Sequence, residues 1–321
     1  MSHSFYLLPN IESGRPVYSP SKAAAEEKDE VRNAQEELIE EGYIEAEKDG
    51  SQKPLSKFDL EKKAPRDKNG ELVLKRREVH SGRALTVSTV EWSVAEKTAT
   101  PTSALEGFMW DKETEVDRFR ERVPLANLVS QCRLSTADPS VPKPRDWIGP
   151  VKEAAAGGKF VIIPECKRVE PTTGSLRKRY DLSKIVKDFT LAGVPAVSVN
   201  CDGVLFGGSL EDLTTAREAI SKAALEVESA DDGVIVPPIL ASDLLLYPYQ
   251  LYKMRLAGAD AVNLVVGALA AKDLLYLTKI ASSLQMQTLL TVTSSVQIQN
   301  LNILSPGSID GLIVSNREVR R

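Results

Sequence analysis

The sequence predicts an α/β chain in which a parallel sheet is covered by helices. Six short apolar runs follow one another along the C-terminal half: FVIIPEC (160–166), AVSVNC (196–201), GVIVPPIL (233–240), DAVNLVV (260–266), TLLTVT (288–293) and DGLIVS (310–315). Each of the first five leads into a helical segment, with starts expected near Ser183, Ser209, Pro248, Ala270 and Ser294. Apolar strands alternating with helices over short connections bury both faces of a parallel sheet. Open doubly wound sheets and closed barrels both satisfy this pattern.

Bulk properties narrow the function classes. With 321 residues and 42% hydrophobic composition, the chain can bury one large core or two modest ones. A net charge of -4 and a pI near 5.5 give no strongly basic face for phosphate backbones, so nucleic acid is not an expected partner. Three cysteines without CxxC spacing, and only His3 and His80 as imidazoles, supply neither a disulfide framework nor a structural zinc site. A reducing compartment fits that usage. No apolar run approaches the roughly 20 residues needed to cross a bilayer, and the N-terminus lacks a secretory signal, so a soluble chain with no membrane partner is expected.

Residues 1–80 form a polar leader, read as mostly flexible. Its acidic middle scatters Ala25, Val31, Leu38 and Ile39 among glutamates, a poor basis for a core. It is either a solvated extension or an acidic docking segment for a basic partner. Residues 81–150 are expected to hold an N-terminal extension of the folded domain. Within it, Leu105, Phe108, Met109, Val116 and Phe119 recur at helical spacing, and Ser103 can cap the start. A Pro-rich hinge, TADPSVPKPRDWIGP, leads into the sheet region, 151–321.

The first strand ends in two ionisable groups. Side chains two apart on a strand share a face, so Glu165 and Lys167 point together while Cys166 points away. They either pair and sit quietly or meet a ligand. Pro164 removes a ladder hydrogen bond from a strand expected to be flanked on both sides. Cys166 and Cys201 read as small buried thiols, and Trp92, Trp110 and Trp147 as packing residues.

Several strand ends carry a family likeness. PECKRVEPTTG (164–174) is similar to the first-strand motif of indole-3-glycerol-phosphate synthases, where Glu-x-Lys-Arg is followed by Ser-Pro-Ser and glycine. SVNCDGVLFGGSLEDL (198–213) resembles that family's second strand and its Phe-x-Gly-Ser loop, a mobile lid in the family. ILASDLLLYPYQLYKMRLAGADAVNLVVGAL (239–269) tracks its third strand through its fourth, and LIVSNREV (312–319) its sixth-strand ending. MWDKETEVDRFRERVPLANL (109–128) is similar to the family's extra N-terminal helix, in wording closest to cyanobacterial and plastid members.

The resemblance, which runs from roughly residue 84 onward, implies a TIM (β/α)8-type barrel with chemistry at the C-terminal strand ends. Here the barrel is expected to be incomplete, with six βα strands, the extra helix and the flexible leader. The implied activity belongs to tryptophan biosynthesis: carboxyphenylamino-deoxyribulose phosphate closes a ring and loses carbon dioxide and water. The implied substrate is small, phosphorylated and anthranilate-derived, and neither a metal nor an organic cofactor is implied. A chloroplast stroma is the compartment that the cyanobacterial wording points to, the cytoplasm otherwise.

Carried over residue by residue, the likeness keeps Glu165 and Lys167 as catalytic positions. Lys167, Thr172, Phe206, Gly207 and Arg317 are kept as substrate-binding positions, with Gly208 and Ser209 completing the lid. Ser242 stands where the family has its third-strand lysine, the general acid; the loss of a positioned acid costs roughly 10²- to 10⁴-fold in rate. Thr291 replaces a glutamate, Thr293 a common histidine, Ser315 an asparagine and Glu170 a substrate-holding serine. Fold kept and catalysis relaxed is the expectation, giving an inactive or weakly active homologue. An active synthase in a longer form and a non-catalytic binding or assembly barrel in a plastid are the alternatives. A chain ending just past strand six leaves the edges of strands one and six to be covered by the leader or a protein partner.

Overall fold

The computed structural model describes residues 64–77, 94–95, 101–139, 141–170, 173–228 and 236–315. A short parallel pair, β1 (Arg76–Arg77) and β2 (Val94–Ala95), precedes the helices α1 (Ala104–Arg122), α2 (Leu125–Ala137) and α3 (Ile148–Ala154). Then come β3 (Glu165–Cys166) and the small hairpin β4 (Val169–Glu170) with β5 (Gly174–Ser175). The rest alternates: α4 (Leu182–Leu191), β6 (Val197–Asn200), α5 (Gly203–Phe206), α6 (Leu210–Glu228), β7 (Ile239–Ser242), α7 (Pro248–Ala257), β8 (Ala261–Val265), α8 (Ala271–Ser283), β9 (Gln287–Val292), α9 (Ser295–Asn300) and β10 (Gly311–Val314).

The six main strands form one parallel sheet in the order β10-β9-β8-β7-β6-β3. Spatial order follows chain order without a reversal, so successive right-handed crossovers lay their helices on one side and the sheet curls into a barrel wall. A doubly wound sheet would reverse direction at a switch point, and that alternative is set aside. The fold is an incomplete TIM-type barrel, as the sequence leads one to expect. The helix starts fall within one residue of the expected positions.

Two elements differ from the sequence reading. The first apolar run was expected to be extended over 160–166, yet only Glu165–Cys166 pairs, with β6. Pro164 has no N–H to give the ladder and sits just before it, where its carbonyl accepts from Ser198 N at 2.9 Å; a strand's entry is where proline is tolerated. The hinge, in turn, ends in a helix. Trp147 N and Ile148 N both donate to Gln287 Oε1, at 2.6 and 3.0 Å, which anchors α3 at the start of β9. Trp147 then packs with Ala196, Leu240, Ala261 and Leu289 inside the wall, so α3 floors the barrel. The larger core lies between the outer face of the sheet and its helices.

Helix α1 begins as the sequence indicates, with Ser103 Oγ accepting from Glu106 N at 3.1 Å. Its buried stripe of Leu105, Phe108, Met109 and Val116 receives residues 64–77 from the end of the leader. Leu74 joins the core, Trp110 Nε1 donates to Lys75 O at 2.8 Å, and Arg76 pairs with Glu113 under the Tyr247 ring, 4.8 Å from its centroid. Residues 1–63, with Ala25, Val31, Leu38 and Ile39, lie outside the described residues, as does Trp92. Among the described residues no helix is long and apolar enough to cross a membrane.

Candidate functional site

Strand register decides which side chains meet. Glu165 lies opposite Ser198, Asn200 opposite Ser242, Asn263 opposite Leu289, and Thr291 between Val265 and Ile313. Since alternate residues share a face, Glu165, Asn200, Ser242, Asn263 and Thr291 belong to the inner face. A cavity of about 300 Å³ opens there, lined by Glu165, Ser198, Ser242 and Asn263 above an apolar floor of Trp147, Ile163 and Leu240. Thr291 Oγ1 donates to Asn263 Oδ1 at 2.8 Å in a buried contact. Ser315, just past β10, is buried and its N–H donates to Val292 O at 2.8 Å. Glu165 and Ser242 thus share one cavity, Thr291 backs it through Asn263, and Ser315 lies at the same end of the wall. Thr172 and Arg317 lie outside the described residues.

Lys167 is enclosed, with its side chain 2% exposed. Its ammonium pairs with Glu170 on β4, lies 3.7 Å from Glu165 Oε2, and sits 5.4 Å from the centroid of the Phe206 ring. Glu165, Lys167 and Glu170 thus form one charged cluster at the end of β3. Burial pushes the Glu165 carboxyl above the usual carboxylate range, opposed by the Lys167 charge and by a hydrogen bond from Asn200.

The loop after β6 is fastened down. Gly207 takes a left-handed φ of 65°, and its carbonyl accepts from Arg168 Nη1 at 3.0 Å. A Cβ on Gly208 would stand 2.2 Å from Asn200 O, so only glycine passes there. Arg168 forks onto Asp212, whose Oδ2 also accepts from Ser209 N at 2.9 Å, and stacks 4.7 Å from the Tyr180 ring centroid. Phe206 is buried beneath this clamp.

A second polar centre escaped the sequence reading. Lys112, 1% exposed, reaches from α1 to Glu115 at 2.6 Å, Asp202 at 3.0 Å and Asp243 at 2.9 Å. Asp243 directly follows β7, and Asp202 stands two residues past β6 as the N-cap of α5; both meet Lys112 on the extra helix. A signal was present: Lys112 stands four residues from both Phe108 and Val116 on the apolar stripe of α1, where an unpaired lysine would be costly. A cavity of about 150 Å³ adjoins this centre, lined by Glu115, Phe119, Cys201, Ser209, Asp243 and Lys253 among others.

Burial pushes the Asp243 carboxyl up to about 7, with Lys112 pulling it down and the Asp202 charge adding to the rise. Asp202 is held below its ordinary value because Lys112 and the Leu205 N–H outweigh its burial. An aspartate raised from 3.8 to about 7 is protonated in the folded chain while the unfolded chain has already ionised, so its contribution to stability is lost as pH rises from about 4 to 7. Asp243→Asn removes that dependence. Melting temperatures measured for both chains should therefore show the variant gaining on the parent between pH 5 and pH 8.

The thiols are quiet. Burial raises Cys166 to about 12 and Cys201 well above the ordinary thiol range, so neither supplies a thiolate at neutral pH. Among the described residues no group of three or more His, Cys, Asp or Glu side chains is arranged to hold a metal ion.

A parallel barrel wall, an extra helix laid against it, and polar side chains gathered at the C-terminal strand ends define the TIM-barrel class of protein. Residues 105–316 match the family model described as indole-3-glycerol phosphate synthase, and the chain belongs to that family. It is similar to the indole-3-glycerol phosphate synthase of Rippkaea orientalis, with 31% identity over 232 residues, 72% of this chain and 71% of that protein. Against the synthase of Microcystis aeruginosa the identity is 32% over 243 residues, covering 76% and 74%. Against that of Prochlorococcus marinus it is 29% over 234 residues, covering 73% and 71%.

Proposed function

We propose that this indole-3-glycerol phosphate synthase homologue keeps the barrel of a tryptophan-biosynthesis enzyme and no longer catalyses ring closure at an appreciable rate. The observation that carries the reading is Ser242, a hydroxyl on the cavity wall at the position where the family likeness sets the general acid. The reaction needs an acid at the ketone, a cation for the substrate's anionic groups and a carboxylate to manage protons during dehydration. Glu165 and Lys167 remain as the catalytic pair, and Lys167, Thr172, Phe206, Gly207 and Arg317 as the substrate contacts. Ser242, Thr291 and Ser315 offer a hydroxyl at each position where a stronger group is needed. Full-length chain mixed with carboxyphenylamino-deoxyribulose phosphate should give no rise in indole fluorescence above the blank. Sustained turnover would overturn the reading.

A second reading, a binding or assembly barrel in the chloroplast stroma, draws support from the sheet edges. Val314 and Leu312 on β10 are 70% and 43% exposed, and Phe160 ahead of β3 is 80% exposed, so a protein partner would cover apolar surface there. Native mass spectrometry of the complex purified from its source should then show a mass above that of one chain. The cyanobacterial relatives support the plastid, which a fluorescent fusion of the full chain would test.

A further inference from the structure

We infer that Glu170 is an internal competitor for the ligand of Lys167, and that through it the barrel rim excludes anionic ligands. The inference rests on the proposed reading of this rim as a former substrate site and names what the rim now refuses. One ammonium faces two carboxylates: Glu170 in direct contact and Glu165 at 3.7 Å. Their side chains are 14% and 6% exposed, so little water screens them. Bringing a carboxylate or phosphate to Lys167 would set a third negative group beside the two carboxylates already within reach of it, a like-charge arrangement that desolvated sites penalise.

Glu170 also needs no recruitment. It lies three residues after Lys167, on a hairpin closed by Val169 pairing with Ser175 and by Leu176 N donating to Arg168 O at 3.0 Å. A tethered carboxylate acts at high effective concentration, so an external anion must displace a partner already in place. The Phe206 ring lies 5.4 Å from the ammonium on another side, held by a loop whose Gly207 carbonyl accepts from Arg168 Nη1.

The test is anion binding by the full chain, read by calorimetry with benzoate and, separately, with inorganic phosphate. Glu170→Gln keeps the side-chain shape and removes the charge; Glu170→Ser removes both. Each variant should bind one or both anions on the order of tenfold tighter than the parent, with a melting temperature confirming the fold. Adding Lys167→Met should abolish the gain. The inference is overturned if neither variant binds either anion better than the parent, or if the gain survives the loss of Lys167. Flat isotherms for the variants would defeat this inference and leave the proposed function standing; turnover by the unmodified chain would defeat the proposed function and, since that substrate is itself an anion, this inference with it.

Discussion

Replacing Lys112 with methionine is expected to destabilise the folded chain by about 3–5 kcal/mol, the range for removing one member of a buried ion pair. The methionine fills the space of the stem and gives nothing to Asp202, Asp243 and Glu115, which Lys112 contacts at 2.6 to 3.0 Å. Two of those carboxylates then face one another without a cation between them. Because the lysine comes from α1 and the aspartates from the ends of β6 and β7, the extra helix loses its polar anchor to the barrel. At roughly 2–4 °C per kcal/mol for a domain of this size, thermal melting reads the effect directly. A companion Asp243→Asn change in the Lys112→Met background should recover part of it above pH 7, since the amide spares the buried site the cost of holding a proton on Asp243 there. A melting temperature unchanged by Lys112→Met would show that the cluster carries no structural weight.

Asp260→Ala is expected to cost a similar about 3–5 kcal/mol. Asp260 is fully buried and takes five donors: Arg145 N at 2.8 Å, Arg145 Nε at 3.1 Å, Arg145 Nη2 at 2.7 Å, Arg217 Nη1 at 2.7 Å and Ile239 N at 2.7 Å. It therefore ties the segment before the floor helix α3, the helix α6 and the entry to β7 into one node. Alanine takes the carboxylate from two guanidinium groups, of which Arg217 keeps the Gly258 carbonyl, and from the Arg145 and Ile239 backbone N–H groups. Urea unfolding should show a lower midpoint with an unchanged slope, because the surface exposed on unfolding is the same. Asp260→Asn should lie between the two, keeping one acceptor oxygen and losing the charge.

Much of the fold was legible because its local signals agree with its tertiary needs. Ser103 caps α1 as its position suggests, and Pro248 opens α7 with Gln250 Oε1 accepting from Tyr247 N at 3.1 Å. The apolar runs became strands wherever a neighbouring ladder was there to receive them. What failed to show depends on contacts far apart in sequence. The floor helix α3 looked like a hinge because its anchor, Gln287, lies 140 residues from Trp147. The length of β3 was overestimated because an apolar run says nothing about where its ladder begins, and Pro164 sets that point. At the rim, residue types indicated chemistry and loss of chemistry, yet the pairing of Lys167 with Glu170 needed the hairpin that turns the chain back on itself. Lys112 stood in plain view on an apolar stripe, and its two aspartate partners are 90 and 131 residues away, beyond any local pattern.

The most direct test of the account is a single-turnover measurement of carbon dioxide release from carboxyl-labelled carboxyphenylamino-deoxyribulose phosphate, with the full chain in excess over substrate. If Ser242, Thr291 and Ser315 have removed the acid–base chemistry from an otherwise intact rim, label release will not exceed that of substrate in buffer. Stoichiometric release within the first turnover would mean that the rim still performs ring closure, and would contradict the account at its centre.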